Sequence, residues 1–353
     1  MRPDKAAWLQ ATREHAIDAD QPIIDPHHHL WDRSGSRYLV DDLRRDTGAG
    51  HRIVATVYVE CLSAWRADGP PALRPVGETE FATAQAGLPC ARGEANIAAI
   101  VAHADLALGA AVEPVLLAHE QAGQGLFRGI RHPAARDPDL KPGHIPAPAG
   151  LFDSPGFREG FATLGRLGYS FDAWLFHPQL IELIRLAQAV PEVPVVLDHL
   201  GAPLGVGRFA GRRAEVREQW RADLIQLARL PHVVLKLGGI GMDRYLGGGW
   251  PSLDSAPGSA QLYDYWADDL RWCIDQFGPT RCMFESNFPV DRESCSYTVL
   301  WNTFQRVGMH YTPAERHALF FETAARVYRI DAARFSTSSA TVDGTATGMA
   351  SNC

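Results

Sequence analysis

The run VPVVLDH, residues 193–199, is the kind of segment that decides the fold class of this chain. It is short and apolar at successive positions rather than at alternate ones, which is typical of a parallel strand covered on both faces. Amphipathic segments at 156–167, 178–189, 213–229 and 260–277 supply the crossovers that parallel strands need. Seven further runs resemble the first: PIID (22–25), IVATVYVE (53–60), IAAIVAHA (97–104), LFRGIRH (126–132), YSFDAW (169–174), HVVLKLGG (232–239) and RCMFES (281–286). Eight such units predict an α/β fold, a (β/α)8 TIM barrel.

The length of 353 residues accommodates one barrel of about 250 residues with extensions at its ends. Residues 1–20 are predicted to be a short N-terminal extension, and residues 21–333 to be the barrel domain. From Ser336 onward the sequence STSSATVDGTATGMASNC is small and polar. Such a segment cannot bury enough apolar surface to order itself, so we expect 334–353 to be a disordered tail.

Composition limits the classes of partner. The net charge of -7, with both signs interspersed, provides no basic stripe for phosphates, so a small-molecule substrate is expected rather than nucleic acid. The six cysteines form no C-x-x-C pair, the N-terminus lacks a signal-peptide core, and no apolar run reaches the roughly 18 residues of a membrane span. We expect a cytoplasmic protein without membrane contact, and a homodimer would be ordinary for this fold.

Three histidines end the first strand, in the stretch DPHHHLWD at 25–32. His27 and His29 lie two residues apart, so both project from the same face of an extended chain and can bind one metal ion. His28 points the other way and is predicted to be structural. The alternative is a histidine cluster that only makes hydrogen bonds at a loop edge. The position favours a metal, because catalytic groups of a barrel lie at the C-terminal ends of its strands.

The other strand ends add further candidates. His199, in LDHLGAP after strand six, is a natural third ligand beside His27 and His29, unless it is a neutral histidine that holds a backbone carbonyl. Arg131 is suited to a bidentate grip on a carboxylate or a lactone carbonyl, although an arginine that ties loops together is equally common. The adjacent His132 is a second candidate for substrate binding.

Strands five and seven contribute three more candidates. Asp172 could act as a general base, but a helix cap or a partner for an arginine is an equal alternative. His177 lies near the predicted mouth and could contact substrate. Lys236 is a further substrate-binding candidate, and a lysine in a strand covered on both faces needs a charged partner. Glu60 and Glu285 are the partners we expect.

The motifs IIDPHHHLW, GIRHP, VVLDHLGAP and MFESNFPVD occur in this order along the chain. In that order and spacing they resemble the amidohydrolase-2 group of TIM-barrel metal-dependent hydrolases, especially its sugar-lactone and dicarboxylate-lactone hydrolases. The similarity runs from about residue 21 to residue 330. The resemblance implies a hydrolase that opens a lactone ring with a divalent metal, Zn or Mn, or with cationic side chains. It also implies that His27, His29 and His199 face the metal or substrate and that Arg131 contacts substrate.

One departure from the family pattern concerns the end of strand eight. The family has a Gly-Ser-Asp-Trp-Pro-like run whose aspartate binds the metal and activates water, and this chain has Glu285-Ser286-Asn287-Phe288-Pro289. An amide such as Asn287 cannot accept a proton from water at neutral pH. Glu285 should project to the same side as Asn287, so it is either a displaced base or the ion-pair partner of Lys236. The candidate catalytic residues are therefore Glu285, Asn287, Arg131 and Asp172.

Three functions fit these observations. The first is a metal-assisted hydrolase of a small lactone or related cyclic ester. The second is a non-oxidative decarboxylase of a small aromatic acid, because a related branch handles such acids with a similar metal site. The third is a barrel that only binds its ligand, for which Asn287 is the argument. Released acid distinguishes the first from the second, and turnover of any lactone excludes the third.

Overall fold

A single eight-stranded parallel sheet organises the chain. The structure, a computed structural model, describes residues 5–91, 93–140 and 147–335. The strands are β1 (Pro22–His28), β2 (Arg52–Val59), β3 (Asn96–Ala102), β4 (Phe127–Arg131), β5 (Ser170–Ala173), β6 (Val195–Leu197), β7 (Val233–Leu237) and β8 (Cys282–Phe284). Each predicted run overlaps one of these strands, so the prediction of eight strands is confirmed.

The strands follow one another in sequence order around the sheet, each parallel to the next. The first and last strands meet beyond the end of β8, where His28 and Phe288 form a parallel bridge. The N–H of His29 donates to Phe288 O at 2.8 Å, and the N–H of Asn287 donates to His27 O at 2.9 Å. These bonds close a (β/α)8 TIM barrel at its C-terminal mouth and fix the strand-one histidines against the strand-eight motif.

Helices cover the outside of the sheet. Those that follow strands are α2 (Val40–Thr47), α3 (Val76–Ala86), α4 (Glu113–Gly123), α5 (Pro155–Arg166), α6 (Leu180–Ala189), α7 (Arg213–Ala228), α8 (Ser259–Phe277) and α9 (Tyr297–Gly308). Ser154 caps α5 and Ser296 caps α9, each by accepting the backbone N–H three residues on. No helix in the described ranges is long and apolar enough to cross a membrane.

Further helices lie outside the repeating units, one before β1 and others after α9. The helix α1 (Lys5–Gln10) lies before β1, and Trp8 donates to Leu253 O at 2.9 Å. After α9 come α10 (Pro313–His317), a π turn (Ala318–Glu322) and α11 (Thr323–Val327). From Ser336 the predicted tail lies outside the described residues. The division at 20/21 and 333/334 stays a prediction.

The barrel interior divides into an apolar half and a polar half. Apolar side chains fill one half, among them Val57, Val101 and Met283. Phe321 and Tyr328, from the segment after α9, pack against this cluster. Above it, toward the C-terminal mouth, the interior side chains are charged or imidazole groups. One unpredicted element, a hairpin of Trp31–Arg33 and Ser36–Tyr38, lies beside that mouth.

Candidate active site

Glu285 joins two of the predicted metal-binding histidines. Its Oε1 lies 2.7 Å from His199 Nδ1 and also accepts the backbone N–H of His199 at 3.0 Å. Its Oε2 lies 2.7 Å from His27 Nδ1. Burial alone would raise the pKa of Glu285, but the imidazoles of His199 and His27 lower it well below its usual value. Burial likewise lowers the pKa of His199, and the Glu285 carboxylate more than reverses this.

Two glycines after β7 make room for this arrangement. A Cβ on Gly238 would lie 2.1 Å from Glu285 Cγ, and one on Gly239 would lie 2.8 Å from His199 Cβ. Gly239 also has φ +71, a conformation that glycine adopts without strain. The sequence LGG is therefore required for Glu285 and His199 to meet.

The orientation of His29 leaves one ring nitrogen available. Its Nδ1 contacts Val59 O at 2.8 Å, and a carbonyl can only accept, so the proton lies on Nδ1. Its Nε2 lone pair then lies 3.2 Å from Asn287 Oδ1 and 3.2 Å from His27 Nε2. Burial and the neighbouring His27 hold the pKa of His29 well below its usual value, so the ring is neutral.

Asn287 is held by two features of the strand-eight turn. Its φ of 52° lies in the left-handed region, where asparagine and aspartate are enriched, and its Nδ2 donates to Asp291 Oδ1 at 2.7 Å. Asp291 Oδ2 accepts the N–H of Gly241 at 2.8 Å. Burial raises the pKa of Asp291 to about 7. The amide oxygen of Asn287 consequently points at His29.

His28 faces away from this cluster, as predicted. Its ring lies edge-on to Tyr58, with the ring centroids 5.9 Å apart. Neither ring nitrogen has a hydrogen-bond partner among the described residues. Burial, with the neighbouring His27, lowers the pKa of His28 to about 3, so the ring is neutral.

Lys236 does not have the partners that we expected. Its Nζ lies 2.8 Å from Asp172 Oδ2 and 3.1 Å from Asp198 Oδ1, so the prediction of Glu60 or Glu285 is wrong. The reason is depth in the barrel. The β8 residue in register with Lys236 is Met283, and Glu285 lies two residues nearer the mouth. Glu285 is therefore not the lysine's ion-pair partner.

Asp172 lies in the same deep layer as Lys236. Besides the lysine it accepts a hydrogen bond from Tyr328 Oη at 2.7 Å. Burial raises the pKa of Asp172 in spite of the Lys236 charge. Both residues are fully buried, and neither lines the cavity described below.

Arg131 is fixed by neighbours on both sides. Its Nε donates to Glu60 Oε1 at 2.7 Å, another nitrogen donates to the Glu60 carbonyl, and Nη1 lies 3.4 Å from Asp198 Oδ2. The guanidinium also stacks on Trp174, 5.1 Å from the ring centroid. Although burial alone would lower the pKa of Arg131, Glu60 and Asp198 raise it further above its usual value.

A cavity of about 200 Å³ opens above these groups. Of the predicted site residues, His29, Arg131, His199 and Asn287 line it, and His27 and Glu285 lie directly beneath. His132 lines a neighbouring cavity. His177 lines neither of these two cavities, because its Nδ1 accepts the N–H of Leu204 and its ring packs against Phe209.

Some residues of the site were not singled out from the sequence. Asp198 links Lys236 with Arg131, while Glu60 holds Arg131 rather than the lysine. Arg33 reaches the cavity wall from the unpredicted hairpin. The stretch WDRSGSRY, with a Ser-Gly turn between two aromatic-containing runs, carried a signal for that hairpin.

The site suits a divalent cation. Ligand atoms of His27, His199 and Glu285 lie within 4.8 Å of one another, and His29 Nε2 adjoins them. Glu285 Oε2 is buried 2.7 Å from His27 Nδ1, so a carboxylate oxygen and an imidazole nitrogen already converge at one point.

Comparisons with known proteins agree with the fold. The sequence profile of Amidohydro_2, described as amidohydrolase, matches residues 24–330. An L-fucono-1,5-lactonase of Burkholderia multivorans is 31% identical over 321 residues, which cover 87% of this chain and 96% of the lactonase. An uncharacterized protein, y4mH, of Sinorhizobium fredii is 30% identical over 330 residues, 88% of this chain and 100% of that protein.

Solved structures give the same result. A crystal structure of an amidohydrolase from Burkholderia multivorans with bound Zn has a TM-score of 0.69 and 27% identity, covering 88% of this chain and 99% of that chain. A 2,6-dihydroxybenzoate decarboxylase has a TM-score of 0.53 at 12% identity, covering 89% of this chain and 100% of that chain, a likeness of fold alone.

Proposed function

Since this chain belongs to the amidohydrolase family, Amidohydro_2, and is an enzyme of the hydrolase class, we propose that it hydrolyses a small lactone or related cyclic ester. The observation that carries the proposal is the Glu285 carboxylate bridging His27 and His199 beside a small cavity. A cavity of about 200 Å³ is below the range of about 300–1,000 Å³ typical of drug-sized ligands and suits one ring. The 31% identity to a lactonase supports the same substrate class.

In this proposal His199 moves the proton. Because Nδ1 is bonded to Glu285, Nε2 lies on the side of the ring that faces the cavity. Neutral Nε2 takes a proton from the water that adds to the lactone carbonyl and returns it to the ring oxygen as the C–O bond breaks. The Glu285 carboxylate, which raises the pKa of His199, stabilises the imidazolium between these two steps. The base role predicted for Glu285 and Asp172 thus passes to His199.

Arg131 supplies positive charge for the carbonyl oxygen as it becomes an oxyanion. Glu60 and Trp174 hold the guanidinium in place before substrate arrives, so no reorganisation is required during the reaction. His132 and His177, predicted to bind substrate, have no part in this scheme.

A divalent ion, Zn or Mn, would be held by His27, His199 and Glu285 with His29 adjacent. When bound it would act as a Lewis acid on the carbonyl and lower the pKa of water. His199 would then have two possible roles, as a ligand of the ion and as the group that transfers the proton. Whether the reaction depends on a metal decides between them.

The test is acid release from L-fucono-1,5-lactone and related aldonolactones, followed with a pH indicator, with carbon dioxide release from 2,6-dihydroxybenzoate measured in parallel. We expect lactone turnover that falls sharply in His199→Ala. Turnover of the benzoate without any lactone turnover would overturn the proposal.

We also place the protein in the cytoplasm, in agreement with five free cysteines among the described residues. The homodimer stays a prediction, which light scattering would test.

A further inference from the structure

A second, larger cavity lies beside the first. It has a volume of about 590 Å³ and lies between the loops that follow β2, β3 and β4. Its walls are largely apolar, with Pro71, Pro75, Leu108 and Pro133 among them. Leu62 lines both cavities, and the consecutive residues Arg131 and His132 line one each. The two cavities therefore share a wall, and the proposed hydrolytic site uses only the smaller one.

Two imidazoles present polar atoms to this apolar chamber. The N–H of Leu106 donates to His132 Nδ1 at 3.2 Å, so the neutral ring carries its proton on Nε2. His103 Nδ1 lies 3.1 Å from Arg131 O, which can only accept, so in the neutral ring Nε2 is an acceptor. Within the described chain neither Nε2 has a protein partner. The backbone thus fixes one donor and one acceptor on rings whose centroids are 5.2 Å apart.

The loop between the cavities is held in a costly conformation. Leu62 and Ala64 have φ of 60° and 51°, in the left-handed region. Glu78 keeps the loop there, because its Oε1 accepts the N–H groups of Cys61 at 2.7 Å and Ser63 at 3.1 Å. Strain of this kind persists only where the surroundings enforce it and is concentrated at binding sites.

The indole of Trp65 forms an aromatic wall of the chamber and is held in place by hydrogen bonding and stacking. Glu78 Oε2 accepts the indole N–H of Trp65 at 3.1 Å, and the Trp65 ring stacks on His103 with the ring centroids 5.5 Å apart. The same carboxylate therefore positions the separating loop and the indole that orders His103.

We propose that this chamber is a substrate subsite for an apolar, hydroxyl-bearing group attached to the lactone, of which a phenol ring is the simplest example. A hydroxyl both donates and accepts, which matches His103 Nε2 and His132 Nε2–H, and the proline-rich wall covers the apolar part. This inference rests on the proposed lactone hydrolysis for its orientation, with the lactone ring above His199 and the substituent beyond Leu62.

The test compares δ-valerolactone with 5-phenyl- and 5-(4-hydroxyphenyl)-δ-valerolactone as substrates, and measures binding of 4-propylphenol by calorimetry. We expect kcat/KM to rise at least about tenfold with the phenyl group and further with the hydroxyl. Ala72→Trp fills the chamber from a position outside the smaller cavity. It should abolish both gains and the binding of 4-propylphenol while leaving δ-valerolactone turnover unchanged.

Ala84→Trp, on the exposed side of α3, is the matched control and should behave as the wild type. Equal kcat/KM for all three lactones, with no binding of 4-propylphenol, would overturn the subsite and leave lactone hydrolysis standing. Binding of 4-propylphenol that Ala72→Trp removes, without turnover of any lactone, would support the chamber as a ligand site and refute the proposed function.

Discussion

Glu285 Oε1 lies 2.7 Å from His199 Nδ1, and this pairing of a buried carboxylate with an imidazole is the central contact of the site. Where the family pattern has an aspartate after strand eight, this chain has Asn287, and it has Glu285 two residues earlier. In the proposed mechanism the carboxylate at position 285, which is fully buried, is not the base that faces substrate. It holds two histidines instead and sets the proton affinity of one of them.

Glu285→Gln should fold but lose about 10²–10⁴-fold in kcat/KM, because His199 loses the group that orients it and stabilises its imidazolium. Since Glu285 raises the pKa of His199, the limb of the pH–rate profile that reports His199 should move to lower pH. Glu182→Gln, a buried glutamate paired with Arg136 at 2.7 Å, is the control and should keep full activity. Full turnover in Glu285→Gln would remove Glu285 from the mechanism.

Stability at acid pH should also depend on Glu285. Its pKa is lowered in the folded protein, because the imidazoles outweigh burial. An unfolded chain binds a proton here below about pH 4.3 and the folded one does not. The contribution is therefore present above that pH and is lost as pH falls toward the folded pKa. Urea unfolding from pH 3.5 to 5.5 should show a free energy that rises with pH, and a smaller slope in Glu285→Gln. Identical slopes would contradict the lowered pKa.

Lys236→Met should destabilise the protein by about 3–5 kcal/mol, because it leaves Asp172 and Asp198 buried without their cation. Adding Asp172→Asn should recover part of the loss, whereas adding Glu285→Gln should not. Arg185→Met breaks an exposed pair with Asp153 and should cost at most about 1 kcal/mol. Chemical unfolding of the four variants measures these differences, and recovery through Glu285→Gln would show that the lysine has a different partner.

His27→Ala and His29→Ala should lower the metal content of the purified protein without unfolding it. Both side chains lie at the mouth rather than in the apolar half of the barrel. His232→Ala, at the opposite end of β7 with its Nε2 on Ala187 O, should keep the ion. Metal analysis with circular dichroism tests this, and a stoichiometric ion retained in the His27→Ala/His29→Ala double variant is the result that refutes a metal site here.

Arg131→Lys should lose activity although the charge is kept, because an ammonium cannot make the separate contacts to Glu60 and Asp198. We expect a fall of about 10²–10³-fold, the size usual for loss of one oxyanion-stabilising donor. The effect should lie mainly in kcat. Kinetics equal to the wild type would exclude a role for the guanidinium in the reaction.

The sequence by itself determined the barrel and the edge of the barrel that carries the site. Runs such as VPVVLDH predict parallel strands from composition alone, and polar residues after those runs must gather at one mouth. His27, His29 and His199 were predicted as site residues in this way. These inferences need only local pattern and the topology of a parallel barrel.

Only the tertiary structure decided which polar groups meet. Strand tilt and register place Met283 opposite Lys236, so the lysine pairs with Asp172 and Asp198 while Glu285 reaches the histidines. A one-dimensional sequence does not contain the relative depth of residues on different strands. The position of the Glu285 side chain also depends on the missing side chain of Gly238, because a Cβ there would lie 2.1 Å from Glu285 Cγ.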